Sequence, residues 1–395
     1  MMDYNNLLNR QTVELKPSGI RKFFDMLNDM KDAVALTVGQ PDFVTPWHIR
    51  EAAIKSLEEG RTYYTPNSGL SALREELANY AERRFDLKYD PKNEIIVTVG
   101  GSEAIDLAIR TIVAPGDEVI IPEPCFVCYD PIVRLAGGIP VPISLKAEND
   151  FKLTPDELKN AITDKTKLVV LAFPNNPTGA TLDKGELEAL AQIIRGTNIF
   201  VLSDEIYAEL TYNGKHTSIA TLDEMRERTV VVNGFSKSYA MTGWRLGFTM
   251  APKEISEQMY KVHQFCIMCA PTTSQFAAIQ ALKYGDNDIE YMKAEYNRRR
   301  TYIVEGLRNI GIECFEPQGA FYVWPNIGKF GLSSEEFCER LLFENGVAIV
   351  PGTAFGACGE GFARISYAYS IKHIGQALER MEKFVNKLKN EQNIK

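Results

Sequence analysis

Short β-rich segments recur through the middle of the chain, between about residue 90 and residue 250, and most of them are apolar without interruption. Helical patterns such as 102–112 and 183–195 separate them. A strand that is apolar on both faces needs cover on both faces, as in a parallel sheet between two layers of helices. The pattern predicts an α/β fold with a mostly parallel sheet covered by helices on both faces. The segments are 94–100, 115–122, 167–173, 200–203 and 229–233.

The pattern changes after residue 285, which predicts a second, smaller lobe. The chain has 395 residues, and a single hydrophobic core stops growing at about 250–300 residues. Residues 286–309 form a long charged helical pattern suited to bridging two lobes, and further strand patterns follow it. We expect an N-terminal arm with part of the small domain at 1–45, a large domain at 46–285, and a small α+β domain with the bridging helix at 286–395.

Charge and hydropathy argue against two classes of partner. The net charge of −8 disfavours nucleic acid and anionic membranes. Residues 1–8 lack the basic and apolar regions of an export signal, and no apolar run approaches the ~18 residues of a membrane span. We therefore expect a cytoplasmic protein that binds neither nucleic acid nor a membrane.

The seven cysteines include two pairs with CxxC spacing, which leaves zinc binding or redox chemistry as an alternative. The pairs lie much further apart than the ~15–20 residues typical of a zinc site, and their neighbours are apolar. We expect reduced core thiols and no metal site. The two pairs are Cys125/Cys128 and Cys266/Cys269, and the histidines without ligand spacing are His48, His216, His263 and His373.

Polar and aromatic side chains follow the predicted strands one after another. Gly101 and Ser102 lie between the first strand and a helix, where N–H groups can approach an anion. Phe126 follows the second strand and offers an aromatic face. Asn176 follows the third strand in a turn, and Asp204 ends the fourth. Ligands bind outside the carboxyl ends of parallel strands, so we expect these groups to converge.

Lys237 and Arg245 follow the fifth strand. An amine that forms a covalent bond with a carbonyl compound needs a partly dry pocket, and a nearby cation also lowers its pKa. Each residue alone has an ordinary alternative: Lys237 as a surface lysine, Asp204 as a helix cap and Tyr207 as a core aromatic. Phe126 alone could be core, and an isolated Arg364 could form a surface ion pair.

The set as a whole matches pyridoxal 5′-phosphate (PLP) group by group. An anion cradle with Arg245 suits the phosphate, and the amine of Lys237 suits the aldehyde. The carboxylate of Asp204 suits the pyridine nitrogen, while the amide and the phenol of Tyr207 suit the ring oxygen.

The chain resembles the fold-type I PLP-dependent aminotransferases, in their class I/II branch, over nearly its whole length. Within that branch it is most similar to bacterial N-acetyl-diaminopimelate and aromatic aminotransferases. The motifs that carry the resemblance are Val38-Gly-Gln-Pro-Asp-Phe43, Tyr64-Thr-Pro-Asn-Ser-Gly69, Gly100-Gly-Ser-Glu103, Asn175-Asn-Pro-Thr-Gly179, Ser203-Asp-Glu-Ile-Tyr207, Ser236-Lys-Ser-Tyr-Ala-Met-Thr-Gly-Trp-Arg245 and Arg364-Ile-Ser-Tyr367.

The resemblance implies a role for each residue around the cofactor ring. Lys237 would bind the cofactor covalently and move a proton during the reaction. Asp204 would keep the pyridine nitrogen protonated. Asn176 and Tyr207 would bind the ring oxygen, and Phe126 would stack on the ring.

The resemblance also implies how the phosphate is held. The backbone N–H groups of Gly101, Ser102 and Glu103 would bind it together with Arg245. Tyr64 would reach the phosphate of a neighbouring subunit, which implies a homodimer with shared active sites.

Arg364 would clamp the substrate α-carboxylate, helped by Gly39 and Asn176, since arginine offers planar bidentate recognition.

Two departures from the family pattern stand out. Many relatives have a phosphate-binding hydroxyl where this chain has Gly234, and Ser236 is the candidate to replace it. Relatives specific for aspartate often have a lysine at the position of Ser102.

The resemblance implies an aminotransferase with a ping-pong reaction. The donor would be an L-amino acid of the aromatic or N-acetyl-diaminopimelate type, and the acceptor a 2-oxo acid such as 2-oxoglutarate. Arg21 is a candidate partner for a distal carboxylate or an ordinary solvated charge.

One alternative is a carbon–sulfur β-lyase on the same fold, although such relatives usually lack the run Met241-Thr-Gly-Trp-Arg245. A PLP-binding regulator is disfavoured because the motifs begin by Gly39, which leaves no room for a DNA-binding head.

Overall fold

A computed structural model of the chain describes residue 2, residues 4–17, residue 19 and residues 32–393. The predicted candidate Arg21 lies outside the described residues. The strands are β1 Val34–Ala35, β2 Ile95–Thr98, β3 Glu118–Glu123, β4 Ile139–Ser144, β5 Thr166–Ala172, β6 Phe200–Asp204, β7 Thr229–Gly234, β8 Gly247–Met250, β9 Tyr322–Val323, β10 Val347–Ala348, β11 Val350–Pro351 and β12 Ala363–Ser366.

The α-helices of the described residues, given in chain order, connect and cover these strands. They are α1 Tyr4–Leu7, α2 Arg10–Glu14, α3 Trp47–Glu58, α4 Ser71–Phe85, α5 Gly101–Ile112, α6 Tyr129–Leu135, α7 Pro155–Ala161, α8 Lys184–Ile194, α9 Phe235–Ser238, α10 Lys253–Cys266, α11 Thr272–Tyr284, α12 Asp286–Asn309, α13 Ser334–Asn345 and α14 Ile371–Asn393. None of them combines the length and the hydropathy that crossing a membrane requires. The cytoplasmic location stays a prediction.

The central sheet has the strand order β2-β8-β7-β6-β5-β3-β4. Neighbouring strands are parallel except at β8, which is antiparallel to both β2 and β7. Successive side chains of a strand point to opposite faces, and both faces of this sheet are buried. Leu168 and Val170 pack in one apolar cluster with α5, whereas Val169 and Leu171 pack in another with α8. The predicted α/β class with a mostly parallel sheet between helices is confirmed.

Two strands of the sheet were not predicted. β4 carries Pro140 and Pro142, and proline argues against a strand in the middle of a sheet. β4 lies at the sheet edge, where a missing N–H is tolerated. β8 has only four residues and begins at Gly247, opposite Gly234 of β7.

The C-terminal part forms a separate layer with its own core. Strands β11, β12 and β9 form an antiparallel sheet, and β1 pairs in parallel with β10. Helix α12 connects the two cores, since Ile289 packs in the core of the large part and Ile303 in that of the small part. The domain boundaries at residues 45 and 285 stay a prediction.

Candidate active site

The carboxyl edge of the central sheet collects the predicted site residues. Asp204 is the last residue of β6, Asn176 follows β5, and Phe126 follows β3. Lys237 lies on α9 directly after β7, and Gly101 begins α5 after β2. Parallel strands end at one edge, so residues far apart in the sequence come together there.

A cavity of about 370 Å³ opens at this edge. This volume lies within the range of small-molecule sites, which is ~300–1,000 Å³. Most of the predicted site residues line it, whereas Glu103 and Tyr64 do not. The predicted residues in its wall are Gly39, Gly101, Ser102, Phe126, Asn176, Asp204, Tyr207, Ser236, Lys237, Arg245 and Arg364.

Lys237 projects its amine into the cavity. Nζ donates a hydrogen bond to the main-chain oxygen of Gly39 at 2.5 Å. The pKa of Lys237 is lowered to about 8, chiefly because burial disfavours the charged form. The positive charges of Arg364 and Arg245 lower this pKa further, and the charge of Asp204 opposes them. The amine therefore reaches its neutral, nucleophilic form near physiological pH.

Asp204 is a buried carboxylate at the end of its strand. Oδ2 accepts a hydrogen bond from the hydroxyl of Tyr129 at 2.7 Å, and Oδ1 accepts one from the N–H of Ile206 at 3.2 Å. Burial raises the pKa of Asp204, and these two hydrogen bonds counteract part of the rise. The group is held in one orientation and forms no ion pair within the described residues, which suits a positively charged ring nitrogen.

Tyr207 and Tyr322 share a hydrogen bond between their hydroxyl groups, with an O–O distance of 2.7 Å. Both phenols are buried, and burial raises the pKa of each. A Cβ atom at Gly39 would overlap the Tyr322 hydroxyl. Glycine at position 39 therefore lets the main chain approach the cavity closely.

Arg364 is only 3% exposed and lies between two aromatic faces, those of Tyr322 and Phe355 at 4.5 and 4.7 Å. Nη1 donates to Oδ1 of Asn176 at 3.0 Å, and Nη2 donates to the main-chain oxygen of Thr37 at 2.6 Å. Nε has no partner among the described residues. Burial lowers the pKa of Arg364. A buried guanidinium without a carboxylate partner is a ready receptor for an anionic ligand.

A second cationic corner lies at the start of α5. The first N–H groups of a helix have no acceptor inside it, and those of α5 begin at the cavity wall. A Cβ atom at Gly100 would lie 2.6 Å from Nη2 of Arg245. At Gly247 it would lie 2.6 Å from the carbonyl carbon of Gly100. Glycines thus let two chain segments, 100–101 and 245–247, meet closely at one corner of the cavity.

Gly234 explains one departure from the family pattern. A Cβ atom there would lie 3.1 Å from Gly247 Cα and 3.1 Å from Ile206 Cδ1. A side chain at this position would therefore require small shifts of β8 or Ile206. Ser236, by contrast, lines the cavity.

The side chains of Glu103 and Tyr64 lie outside the cavity wall. Glu103 Oε2 accepts a hydrogen bond from the N–H of Val99, and Oε1 lies 2.6 Å from Nδ1 of His263. Tyr64 is 75% exposed.

Sequence reasoning missed Tyr129 and Tyr322. Tyr129 begins the helix after Phe126, and the centroids of the two rings lie 6.3 Å apart. Tyr322 lies on β9, which pairs with the strand of Arg364. Residues 319–324 have a strand pattern in the sequence, but the sequence does not reveal which strand they pair with.

The seven cysteines lie outside the cavity wall. All seven are free thiols, and no cluster of three or more potential metal ligands occurs in the described part of the chain. The expected burial holds for Cys125, but Cys266 is exposed at the end of α10, so the expectation is wrong there.

Comparison with known families shows which family the chain belongs to. A family model described as aminotransferase class I and II matches residues 31–381. The chain belongs to this family. The aminotransferase is similar to the probable N-acetyl-LL-diaminopimelate aminotransferase of Bacillus subtilis (strain 168), with 46% identity over 97% of this chain and 96% of the relative.

Two solved structures show the same fold. The aromatic aminotransferase from Pyrococcus horikoshii OT3 aligns with a TM-score of 0.89 and 44% identity, over 93% of this chain and 99% of that chain. The aspartate aminotransferase from Thermus thermophilus with maleate aligns with a TM-score of 0.91 and 40% identity, over 95% and 99% of the two chains.

Aminotransferases of this family are PLP-dependent, and so is this enzyme. The residues present fit the cofactor. A carboxylate without a cation partner suits a protonated pyridine nitrogen, and an amine with a pKa of about 8 suits an aldehyde. The glycine-lined corner beside Arg245 suits a phosphate.

Proposed function

We propose that this aminotransferase transfers the amino group of an aromatic L-amino acid to a 2-oxo acid such as 2-oxoglutarate, in a ping-pong reaction. One observation carries the proposal. The amine of Lys237, with a pKa of about 8, shares one cavity with the Asp204 carboxylate and the Arg364 guanidinium. The cavity therefore offers a base, a partner for the ring nitrogen of the cofactor and a receptor for the carboxylate of the substrate.

Bound PLP supplies an aldehyde that takes up an amino group and a ring that draws electrons from the substrate Cα. Lys237 is the proposed covalent attachment point and the base that moves the proton at Cα. Its lowered pKa makes the neutral amine accessible near pH 8, and only that form accepts a proton.

Asp204 is proposed to hold the proton of the pyridine nitrogen, with its carboxylate oriented by Tyr129. Asn176 uses its amide oxygen to accept from Arg364, which leaves its NH₂ group free to donate to the ring oxygen beside Tyr207. Phe126 is proposed to stack on the ring.

The phosphate is proposed to bind the N–H groups of Gly101, Ser102 and Glu103, where the helix dipole favours an anion. Arg245 and Ser236 complete this corner. Their support is their position in the cavity wall and the close approach of Arg245 to Gly100.

Arg364 and Gly39 are proposed to bind the substrate α-carboxylate. Among the described residues, the other cations of the cavity wall are Lys237 and Arg245, and both already have proposed tasks. Ser102 offers no charge for a distal carboxylate. The wall also contains the apolar side chains of Val38 and Ile105, along with aromatic rings, so a neutral aromatic side chain is the favoured substrate group.

We also propose a homodimer in which Tyr64 reaches the phosphate site of a second copy. Phe265 is 85% exposed, and Tyr63, Ile267 and Met268 also expose apolar surface. Apolar side chains exposed to this degree are typical of a subunit interface.

A donor screen against 2-oxoglutarate tests the substrate assignment. We expect kcat/KM for phenylalanine and tyrosine to exceed that for aspartate by at least about tenfold. The reason is that each described cation of the cavity wall already has a proposed partner, so none remains for a second carboxylate. A preference for aspartate or for N-acetyl-LL-diaminopimelate would overturn the aromatic assignment. Parallel double-reciprocal plots are expected for ping-pong kinetics, and intersecting plots would contradict it.

Borohydride reduction of the holoenzyme followed by peptide mapping tests the role of Lys237. The pyridoxyl label is expected on Lys237, and Lys237→Ala should remove both label and transamination. Lys253→Ala, at an exposed ion pair with Glu257, is the matched control and should change neither. Release of pyruvate and ammonia from a cysteine thioether, faster than transamination, would favour the β-lyase alternative.

A further inference from the structure

His263 is the most enclosed titratable group near the phosphate corner. It lies on α10 and is 0% exposed. Nδ1 lies 2.6 Å from Oε1 of Glu103, and Nε2 lies 2.8 Å from the main-chain oxygen of Asn67. The other oxygen of Glu103 accepts the N–H of Val99. The ring therefore connects two separate chain segments.

The hydrogen-bond partners fix the charge of the pair. A main-chain carbonyl oxygen can only accept, so Nε2 must carry a proton. Nδ1 and Oε1 then need one further proton between them, since two bare acceptors at 2.6 Å would repel each other. Whether that proton is on His263 or on Glu103, the pair has no net charge.

The position of Glu103 gives this neutrality a consequence. Glu103 lies in the first turn of α5, the turn whose N–H groups are proposed to bind the phosphate. An uncompensated carboxylate there would repel an anion and offset the favourable helix dipole. His263 removes that repulsion while leaving the carboxylate free to accept from Val99.

The second contact of His263 reaches the segment 64–69. Nε2 donates to the main-chain oxygen of Asn67, while Gln275 on α11 binds Thr65 in the same segment and the N–H of Leu70 directly after it. Tyr64, three residues before Asn67, is the residue proposed to reach a second subunit.

We propose that His263 is a positioning residue for the phosphate-binding end of the site. It cancels the charge of Glu103 beside the first turn of α5 and fixes the segment that presents Tyr64. This inference rests on the proposed function, namely the assignment of the phosphate to that turn and to Arg245.

Inorganic phosphate binding to the apoenzyme, measured by isothermal titration calorimetry, tests the charge argument without turnover. His263→Gln keeps a hydrogen-bonding side chain but cannot carry the additional proton. We expect phosphate affinity to fall on the order of tenfold. Adding Glu103→Gln to this variant removes the carboxylate and should restore most of the affinity.

The double variant separates charge from structure. Affinity that stays as low in His263→Gln/Glu103→Gln as in His263→Gln would overturn the proposal, because loss of packing alone would explain it. Unchanged affinity in His263→Gln would overturn it as well. Glu103→Gln alone keeps the main-chain N–H proposed to bind the phosphate and removes only the carboxylate, so it should bind phosphate at least as tightly as the unaltered chain, and this prediction holds even if His263→Gln fails to fold. Weakened binding in Glu103→Gln would contradict the proposal.

Two controls complete the design. His48→Gln alters another histidine–carboxylate pair, 2.8 Å from Asp288 and outside the cavity wall, and should not change phosphate affinity. Arg245→Gln tests the underlying phosphate assignment. If it leaves affinity unchanged, that assignment fails and the present inference with it. If it weakens binding while His263→Gln does not, only the inference about His263 fails.

Discussion

Three charged side chains of the active site are buried without a full set of partners. Burial lowers the pKa of Lys237 and of Arg364 and raises that of Asp204, so each group is shifted toward its neutral form. A cofactor with an aldehyde and a protonated nitrogen, together with the carboxylate of a substrate, would provide a partner for each of the three groups. The residues proposed to bind cofactor and substrate are thus the ones that cost stability without them.

Lys237 makes the stability of the apoenzyme depend on pH. Its pKa is about 8 in the folded chain and 10.5 ordinarily, so the unfolded chain binds more protons between these values and stability rises with pH there. Lys237→Met lacks this titration. We expect the variant to be more stable than the unaltered apoenzyme below pH 8, and the difference to shrink by pH 10.5. Thermal unfolding across this range measures it, and a constant difference would contradict the lowered pKa.

Tyr129→Phe should weaken cofactor binding. The Tyr129 hydroxyl is one of two donors to the Asp204 carboxylate, and its hydrogen bond lowers the pKa of Asp204. Its loss leaves a buried acceptor unsatisfied, which costs about 1–3 kcal/mol. Titration of the apoenzyme with PLP is expected to show affinity reduced about tenfold. Tyr284→Phe, an exposed tyrosine, is the control, and equal effects of the two changes would contradict the proposed role.

Most lining residues could be predicted because each follows a recognisable strand or motif. Asp204 and Lys237 are examples, since Asp204 ends an apolar strand and Lys237 lies on the helix that follows one. Tyr322 could not be predicted, because it reaches the cavity only through the pairing of β9 with β12. Long-range pairing of short strands leaves no periodic signal in a single sequence.

At the scale of elements, the approach of β8 to α5 requires glycine. Gly247→Ala would place a Cβ atom 2.6 Å from Gly100 and 2.8 Å from the N atom of Gly101. We expect a loss of stability of about 1–3 kcal/mol and weaker phosphate binding, because α5 must move away from β8. Gly243→Ala in the same connection has open space around it and is the control. Similar melting temperatures for the two variants would contradict the close approach.

The segment 36–45 forms a strap over the cavity that carries Gly39. Asp42 in this strap binds Nη1 of the buried Arg299 on α12 at 2.7 Å. Asp42→Asn removes one of the two carboxylates bound to Arg299, the other being that of Glu295, and we expect a several-fold rise in KM for the amino donor, with a smaller change in kcat. Glu379→Gln, at an exposed pair with Lys383, is the control. Unchanged KM would show that the strap does not depend on this contact.

Helices and strands could be predicted where the local sequence pattern was strong. They could not be predicted where the position of the segment in the complete fold determines its structure. The charged pattern 286–309 became helix α12 with the same limits. β4 was missed because its prolines are acceptable only at a sheet edge, and edge position depends on the complete topology.

At the scale of the whole molecule, the exposed apolar surface around Phe265 predicts a dimer. Phe265→Glu places a charge at a residue that is 85% exposed in one chain. We expect a shift toward monomer in analytical ultracentrifugation and a loss of activity, because Tyr64 would no longer reach the second site. Tyr284→Glu is the control, and an unchanged mass for Phe265→Glu would contradict this interface.

The antiparallel course of β8 has a further consequence. The chain leaves the sheet edge at Gly234 and returns to the same edge at Gly247, so Lys237 and Arg245 lie on one connection. Arg364 belongs to the other sheet, on β12. A hinge motion between the two sheets would move Arg364 away from an oxo acid that leaves the site. Lys237 and Arg245 would both stay at the prosthetic group, because they lie on the same connection. Under the roles proposed for these residues, product release and cofactor retention would depend on different sheets.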